Sequence, residues 1–146
     1  MSKKELPSVT SRPLTYIHKI PILKTQPFWE KLKEGEIYAT KCKKCGKLYY
    51  PPQVDCPECL ASDVEWIKLS EEAKLETYTQ VLTRPQSFEN YEPYIIAIAS
   101  TSEGVKIMGW LEGVKLEEIK VGMKLKATGG LLEDGYHIIK FTKAYF

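Results

Sequence analysis

The chain has 146 residues, 43% of them apolar and 11% aromatic, with a net charge of +2. That supports one ordinary domain or two small ones and argues against wholesale disorder. No stretch approaches the ~20 apolar residues of a membrane helix, and the polar start MSKKELPSVTSRP lacks the apolar core of a secretory signal. The sequence therefore predicts a cytoplasmic protein with no membrane contact, where reduced thiols favour metal binding over disulfides. The small net charge hides an asymmetry. Residues 1–47 hold 11 Lys/Arg and 4 Asp/Glu; residues 48–146 hold 10 and 15. A basic front half either attracts phosphates (nucleic acid, a phosphorylated cofactor) or an acidic partner, or is a solvated lysine face. Asn occurs once and Gln four times beside abundant Lys and Glu, the direction seen in thermophile proteins.

In chain order, residues 1–24 carry Pro7, Pro13 and Pro21 among scattered apolar residues, which predicts an arm with at most one short helix. TQPFWEKLKEGE follows. Thr25 can cap a helix, Pro27 fits its first turn, Phe28 and Leu32 share a face and Gly35 suits a left-handed stop. The spacing predicts a helix over about Pro27–Glu34, with Phe28 and Trp29 packing on the chain's own core rather than docking to a partner. These residues make an N-terminal unit of arm and helix over 1–35.

Every cysteine lies in KCKKCGKLYYPPQVDCPEC, residues 41–59. Cys42-x-x-Cys45 and Cys56-x-x-Cys59 can each offer two thiolates to one tetrahedral ion. With all ligands supplied by protein there is no place for an activated water, so the site reads as structural Zn²⁺, with Fe as the rival ion. Gly46 can turn tightly after the first pair. Leu60 stands in the equivalent place after the second, which predicts a less regular second knuckle stiffened by Pro57. Residues 36–66 are thus a zinc ribbon, too small to fold without its metal. Tyr49, Tyr50, Pro51 and Pro52 are expected to form a stiff apolar ridge against the rest of the molecule.

From residue 67 the pattern alternates. AKLETYTQVL, PYIIAIAST, GVKIMGWLEG, GMKLKATG and GYHIIKFTKAYF read as five strands, with one or two helical turns at KLEEIK between the third and fourth. That order suits a five-stranded oligonucleotide/oligosaccharide-binding (OB) barrel over residues 67–146. The fold is therefore mainly β. In the second strand Tyr94, Ile96 and Ile98 line one face and Ile95, Ala97 and Ala99 the other. One face fills the barrel; the other meets the ribbon, a ligand or another chain.

Catalytic signals are missing. His18 and His137 stand apart, and no G-x-S-x-G elbow, P-loop or G-x-G-x-x-G occurs. Gly129-Gly130 reads as a turn or bulge. The cysteines are committed to metal and the acidic residues come as surface-like pairs such as Glu71-Glu72. The chain reads as a noncatalytic protein.

The run PFWEKLKEGE, CKKCGKLYYPPQVDCPEC, TYTQVL, PYIIAIAS, GVKIMGWLEG and EEIKVGMKL resembles the zinc-ribbon/OB-fold family long filed as a domain of unknown function, over roughly residues 26–146. The resemblance implies an N-terminal helix, a rubredoxin-like zinc ribbon and a C-terminal OB barrel. It also implies a noncatalytic subunit that binds or passes on acyl-CoA beside a thiolase, and in archaea beside hydroxymethylglutaryl-CoA synthase in the mevalonate route. Relatives elsewhere support enoyl-CoA hydratases or aldolases. On this reading Lys41 and Lys44, with Lys43 and Lys47, meet the phosphates of CoA, Arg84 offers a bidentate fork, and Phe88 and Tyr94, with Tyr91, cover the adenine or pantetheine. A nucleic-acid module is the alternative, but the barrel half is acidic, and Tyr78, Tyr94 and Trp110 would have to share a face. A scaffold that uses the arm to hold two enzymes together is compatible with the first reading.

Overall fold

The computed structural model describes residues 5–145. The arm runs from residue 5 to 22 with no helix or strand, as its prolines require. Helix α1 spans Gln26–Lys33, with Pro27 in its first turn and Phe28 and Leu32 buried. Thr25 does not cap it through its side chain. Instead its carbonyl accepts the Phe28 N–H at 3.0 Å. Gly35 ends the helix at φ 93°.

Three short strands follow: β1 (Tyr38–Cys42), β2 (Leu48–Tyr49) and β3 (Val64–Lys68). They form an antiparallel sheet in the order β2–β1–β3. The remaining strands are β4 (Glu72–Val81), β5 (Tyr94–Thr101), β6 (Lys106–Leu111), β7 (Lys124–Leu131) and β8 (His137–Lys143). They close into a barrel in the order β4–β5–β6–β8–β7, parallel only between β6 and β8. A single 3-10 turn, Leu116–Glu118, lies between β6 and β7.

Alternation decides what each strand buries. Leu75, Ile107, Leu125 and Phe141 meet inside the barrel. In β5 the inner residues are Ile95, Ala97 and Ala99, while Tyr94, Ile96 and Ile98 are half-buried on the outside. That outer face continues across β6, where Ile96 pairs with Trp110 and Ile98 with Met108, a residue 64% exposed.

Ribbon and barrel share one core. Ile37 and Ala39 belong to the same buried cluster as Leu69 and Leu75, and the Leu69 N–H donates to the Ile37 carbonyl at 2.8 Å. Gly129 and Gly130 are not a turn: they lie within β7. A Cβ on Gly129 would sit 2.5 Å from the Leu32 carbonyl oxygen and 2.6 Å from its Cδ1. The bare glycine lets α1 lie directly on the barrel, and its N–H donates to the Gly35 carbonyl at 3.1 Å.

Candidate metal centre and aromatic hollow

The two Cys-x-x-Cys turns are built alike. In the first, the Gly46 N–H donates to the Cys42 carbonyl at 2.8 Å and the Cys42 N–H to the Lys47 carbonyl at 2.9 Å. In the second, the Leu60 N–H donates to the Cys56 carbonyl at 2.9 Å and the Cys56 N–H to the Ala61 carbonyl at 2.8 Å. Gly46 has φ 76° and Leu60 φ 59°. The second knuckle is thus as regular as the first. A left-handed backbone is required at both places, and Leu60 adopts it despite its Cβ.

The turns bring all four sulfurs within 4.8 Å of one another, with Cys42 and Cys59 Sγ atoms 3.5 Å apart and those of Cys45 and Cys56 3.6 Å apart. Four sulfurs at about 2.3 Å from a tetrahedral zinc stand about 3.8 Å apart, so the cluster fits that ion. The backbone N–H of Cys45, then that of Lys44, holds the Cys42 thiol below its usual range. At Cys56 the Tyr49 hydroxyl, 3.2 Å from the sulfur, and the Cys59 N–H bring the thiol down to about 6. Cys45 is pushed up to about 11: the Lys47 N–H pulls it down, but desolvation and the neighbouring sulfurs outweigh that. Cys59 is raised in the same way. Four thiolates cannot crowd together without a counter-charge, and a dication supplies it. With four protein ligands the site is closed, and its role is structural.

Tyr49 therefore faces the sulfurs rather than the barrel. Pro51 is exposed and Pro52 half-buried, so the expected apolar ridge is reduced to Tyr50. Tyr50 packs on the core, edge-on to Phe28 at 6.3 Å, and burial pushes its hydroxyl up to about 12. Lys47 is paired with Glu58 at 2.5 Å and Lys43 with Asp63 at 3.2 Å. Half of the expected basic face is thus committed to carboxylates, while Lys41 and Lys44 stand exposed.

The barrel carries a second constellation. Tyr94 on β5 and Trp110 on β6 stack at 4.5 Å with 16° between planes. From the β4–β5 loop, Phe88 lies 5.9 Å from Tyr94 and Tyr91 meets Trp110 edge-on at 5.5 Å. The Tyr91 hydroxyl donates to Asp134 at 2.5 Å, tying this loop to the β7–β8 loop. Beside the rings opens a cavity of about 480 Å³ whose walls include Tyr136, His137 and Tyr16 of the arm. Phe88 and Tyr94 share this cluster. Arg84, Lys41 and Lys44 line none of the cavities described. Tyr78 packs against the barrel core and does not join the Tyr94–Trp110 face. Asp134 and Tyr16 carry no signal in their own neighbourhoods. Only the places of the two loops in an OB barrel point to Asp134.

Residues 29–65 match the family description "ChsH2, rubredoxin-like zinc ribbon domain", and residues 66–129 match "ChsH2, C-terminal OB-fold domain". A Methanocaldococcus jannaschii protein named a DUF35 domain-containing scaffold protein is 37% identical over 110 residues, spanning 73% of this chain and 78% of that one. The chain belongs to the DUF35 family. This DUF35 protein is also 30% identical over 73 residues to the benzoylsuccinyl-CoA thiolase subunit BbsA of Thauera aromatica, spanning 50% of this chain and 49% of BbsA. The solved structure described as "Ltp2-ChsH2(DUF35) aldolase" shares the fold, with a TM-score of 0.71 at 21% identity over 81% of this chain and 92% of that one. The zinc ribbon, the OB barrel and the structural zinc expected from the sequence agree with these matches. No helix among the described residues is long and apolar enough to cross a membrane.

Proposed function

We propose that this DUF35 protein is a noncatalytic, cytoplasmic scaffolding subunit that partners a thiolase-family enzyme and helps hold or pass on acyl-CoA. Hydroxymethylglutaryl-CoA synthase is a further partner in this reading, which places the chain in the mevalonate route. The observation that carries the proposal is the closed cluster of Cys42, Cys45, Cys56 and Cys59: a zinc held there stiffens a surface and leaves no position for a reacting water. The names of the scaffold relatives and of the thiolase subunit point the same way. The chain divides into an arm and helix (1–35), a ribbon (36–66) and a barrel (67–146). Lys41, Lys44 and Arg84 serve the phosphates of CoA, and Phe88 and Tyr94 its uncharged part.

The Tyr94–Trp110 stack on a barrel face favours a second reading, a single-strand nucleic-acid binder. The carboxylates around it, Glu92, Glu112, Glu133 and Asp134, oppose a polyanion.

The exposed arm, with Leu6, Leu14, Ile17, Ile20 and Leu23 open to solvent, is the expected dock. Co-expression with the thiolase of the same genome tests this. The full chain should co-elute with the thiolase and carry stoichiometric zinc, and a chain lacking residues 1–24 should not co-elute. Thioester turnover by the isolated chain, or no association of the full chain, would overturn the proposal.

A further inference from the structure

The aromatic hollow draws its walls from four separate parts of the chain. Phe88 and Tyr91 come from the β4–β5 loop, Trp110 from β6, Tyr136 and His137 from the junction of the β7–β8 loop with β8, and Tyr16 from the arm. The two loops are latched through Tyr91 and Asp134. In an OB barrel the second and third strands, with the first-to-second and fourth-to-fifth loops, form the face that holds ligands. Here those elements are β5, β6 and these same loops.

Charge decides which ligand fits. Asp134 lines the hollow, and Glu92, Glu112 and Glu133 line the depressions that adjoin it. Lys140 is the one cation among these lining residues, and it is paired with Glu112 at 3.3 Å. A polyphosphate brought to this aromatic-walled, partly desolvated place meets a negative field. Adenine would carry its phosphates in with it. The acyl-pantetheine arm of a CoA thioester is uncharged and keeps the phosphates at its far end.

We infer that the hollow around Trp110 binds the acyl-pantetheine end of a CoA thioester and directs the nucleotide end away from the barrel mouth. The inference rests on the acyl-CoA reading above. The faces of Trp110 and Phe88 cover methylene and methyl groups. Asp134, which already accepts from Tyr91, also accepts from the amide N–H groups of the bound pantetheine. Tyr16 belongs to a segment with no secondary structure and is 74% exposed, so it is placed to close over the bound chain.

Three tryptophans, Trp29, Trp66 and Trp110, make the test direct. The full-length chain is labelled with 5-fluorotryptophan, and its fluorine resonances are assigned by Trp29→Phe and Trp66→Phe. It is then titrated with acetyl-CoA, S-acetyl-pantetheine and the 3′-phospho-ADP half of CoA. The first two should shift the Trp110 resonance and leave Trp66 unmoved, and 3′-phospho-ADP should not move Trp110. Trp110→Ala should weaken S-acetyl-pantetheine about tenfold, and Glu133→Lys should leave its affinity unchanged. If 3′-phospho-ADP alone moves Trp110, or acetyl-CoA binds with Trp110 silent, the inference fails while the acyl-CoA reading stands. Silence toward all three compounds at millimolar concentration overturns both.

Discussion

Between Cys42 and Leu60 the buried residues are Cys42 and Cys56 alone, whereas the barrel interlocks Leu75, Ile107, Leu125 and Phe141. The ribbon tip has two knuckles, a short β-pairing and exposed ion pairs, and exposed pairs contribute little. Its sulfurs take the place that a core takes in the barrel. The lower ribbon differs from its own tip: Ile37 and Ala39 are buried with the barrel, so this half needs no metal. The boundary between the two regimes of stability runs through β1, not between the ribbon and the barrel.

Zinc removal tests that boundary and should have the largest effect. Chelation, or Cys42→Ser, withdraws metal–thiolate binding free energy of about 10 kcal/mol. Hydrogen exchange should then show residues 41–62 losing protection while β4–β8 and the start of β1 keep theirs. Global unfolding on chelation would show that the two regions are one cooperative unit. Gly129→Val probes the barrel side, at the landing of α1. Any side chain there meets Leu32, and the expected cost is about 3 kcal/mol, read as a lower Tm with zinc retained. An unchanged Tm would mean that α1 contributes little to the shared core. The smallest change should come from Leu60→Gly, which relieves a left-handed leucine at φ 59°. Relief of strain, less the extra chain entropy of glycine, leaves a gain of about 0.5 kcal/mol. It should appear as tighter zinc retention against a chelator, with barrel exchange rates unchanged.

The metal cluster was legible because two Cys-x-x-Cys turns carry their chemistry in local spacing, and the strands because alternation is local too. What failed to read locally depended on distant neighbours. Leu60 looked irregular beside Gly46, yet the sulfur geometry imposes the same backbone on both. Gly129-Gly130 looked like a turn because nothing nearby in the chain says that a helix lands on it. Tyr49 looked like part of an apolar ridge, and its hydroxyl turns to Cys56 instead. Thr25 had the right residue type for a cap without the conformation for one. Phe88 and Tyr94, close enough in the chain to be read together, do meet, Phe88 lining the hollow and Tyr94 the depression beside it, whereas Lys41 and Lys44 line neither.

By itself the sequence determined a four-sulfur ion site, five alternating strands and an absence of recognisable catalytic motifs, because each depends on residues only a few positions apart. The tertiary structure alone decided that helix and barrel touch through a bare glycine. It alone also placed Trp110, Tyr91, Asp134 and Tyr16 around one hollow. Those contacts join segments tens of residues apart, and only closure of the barrel and the packing of helix and arm against it make them neighbours.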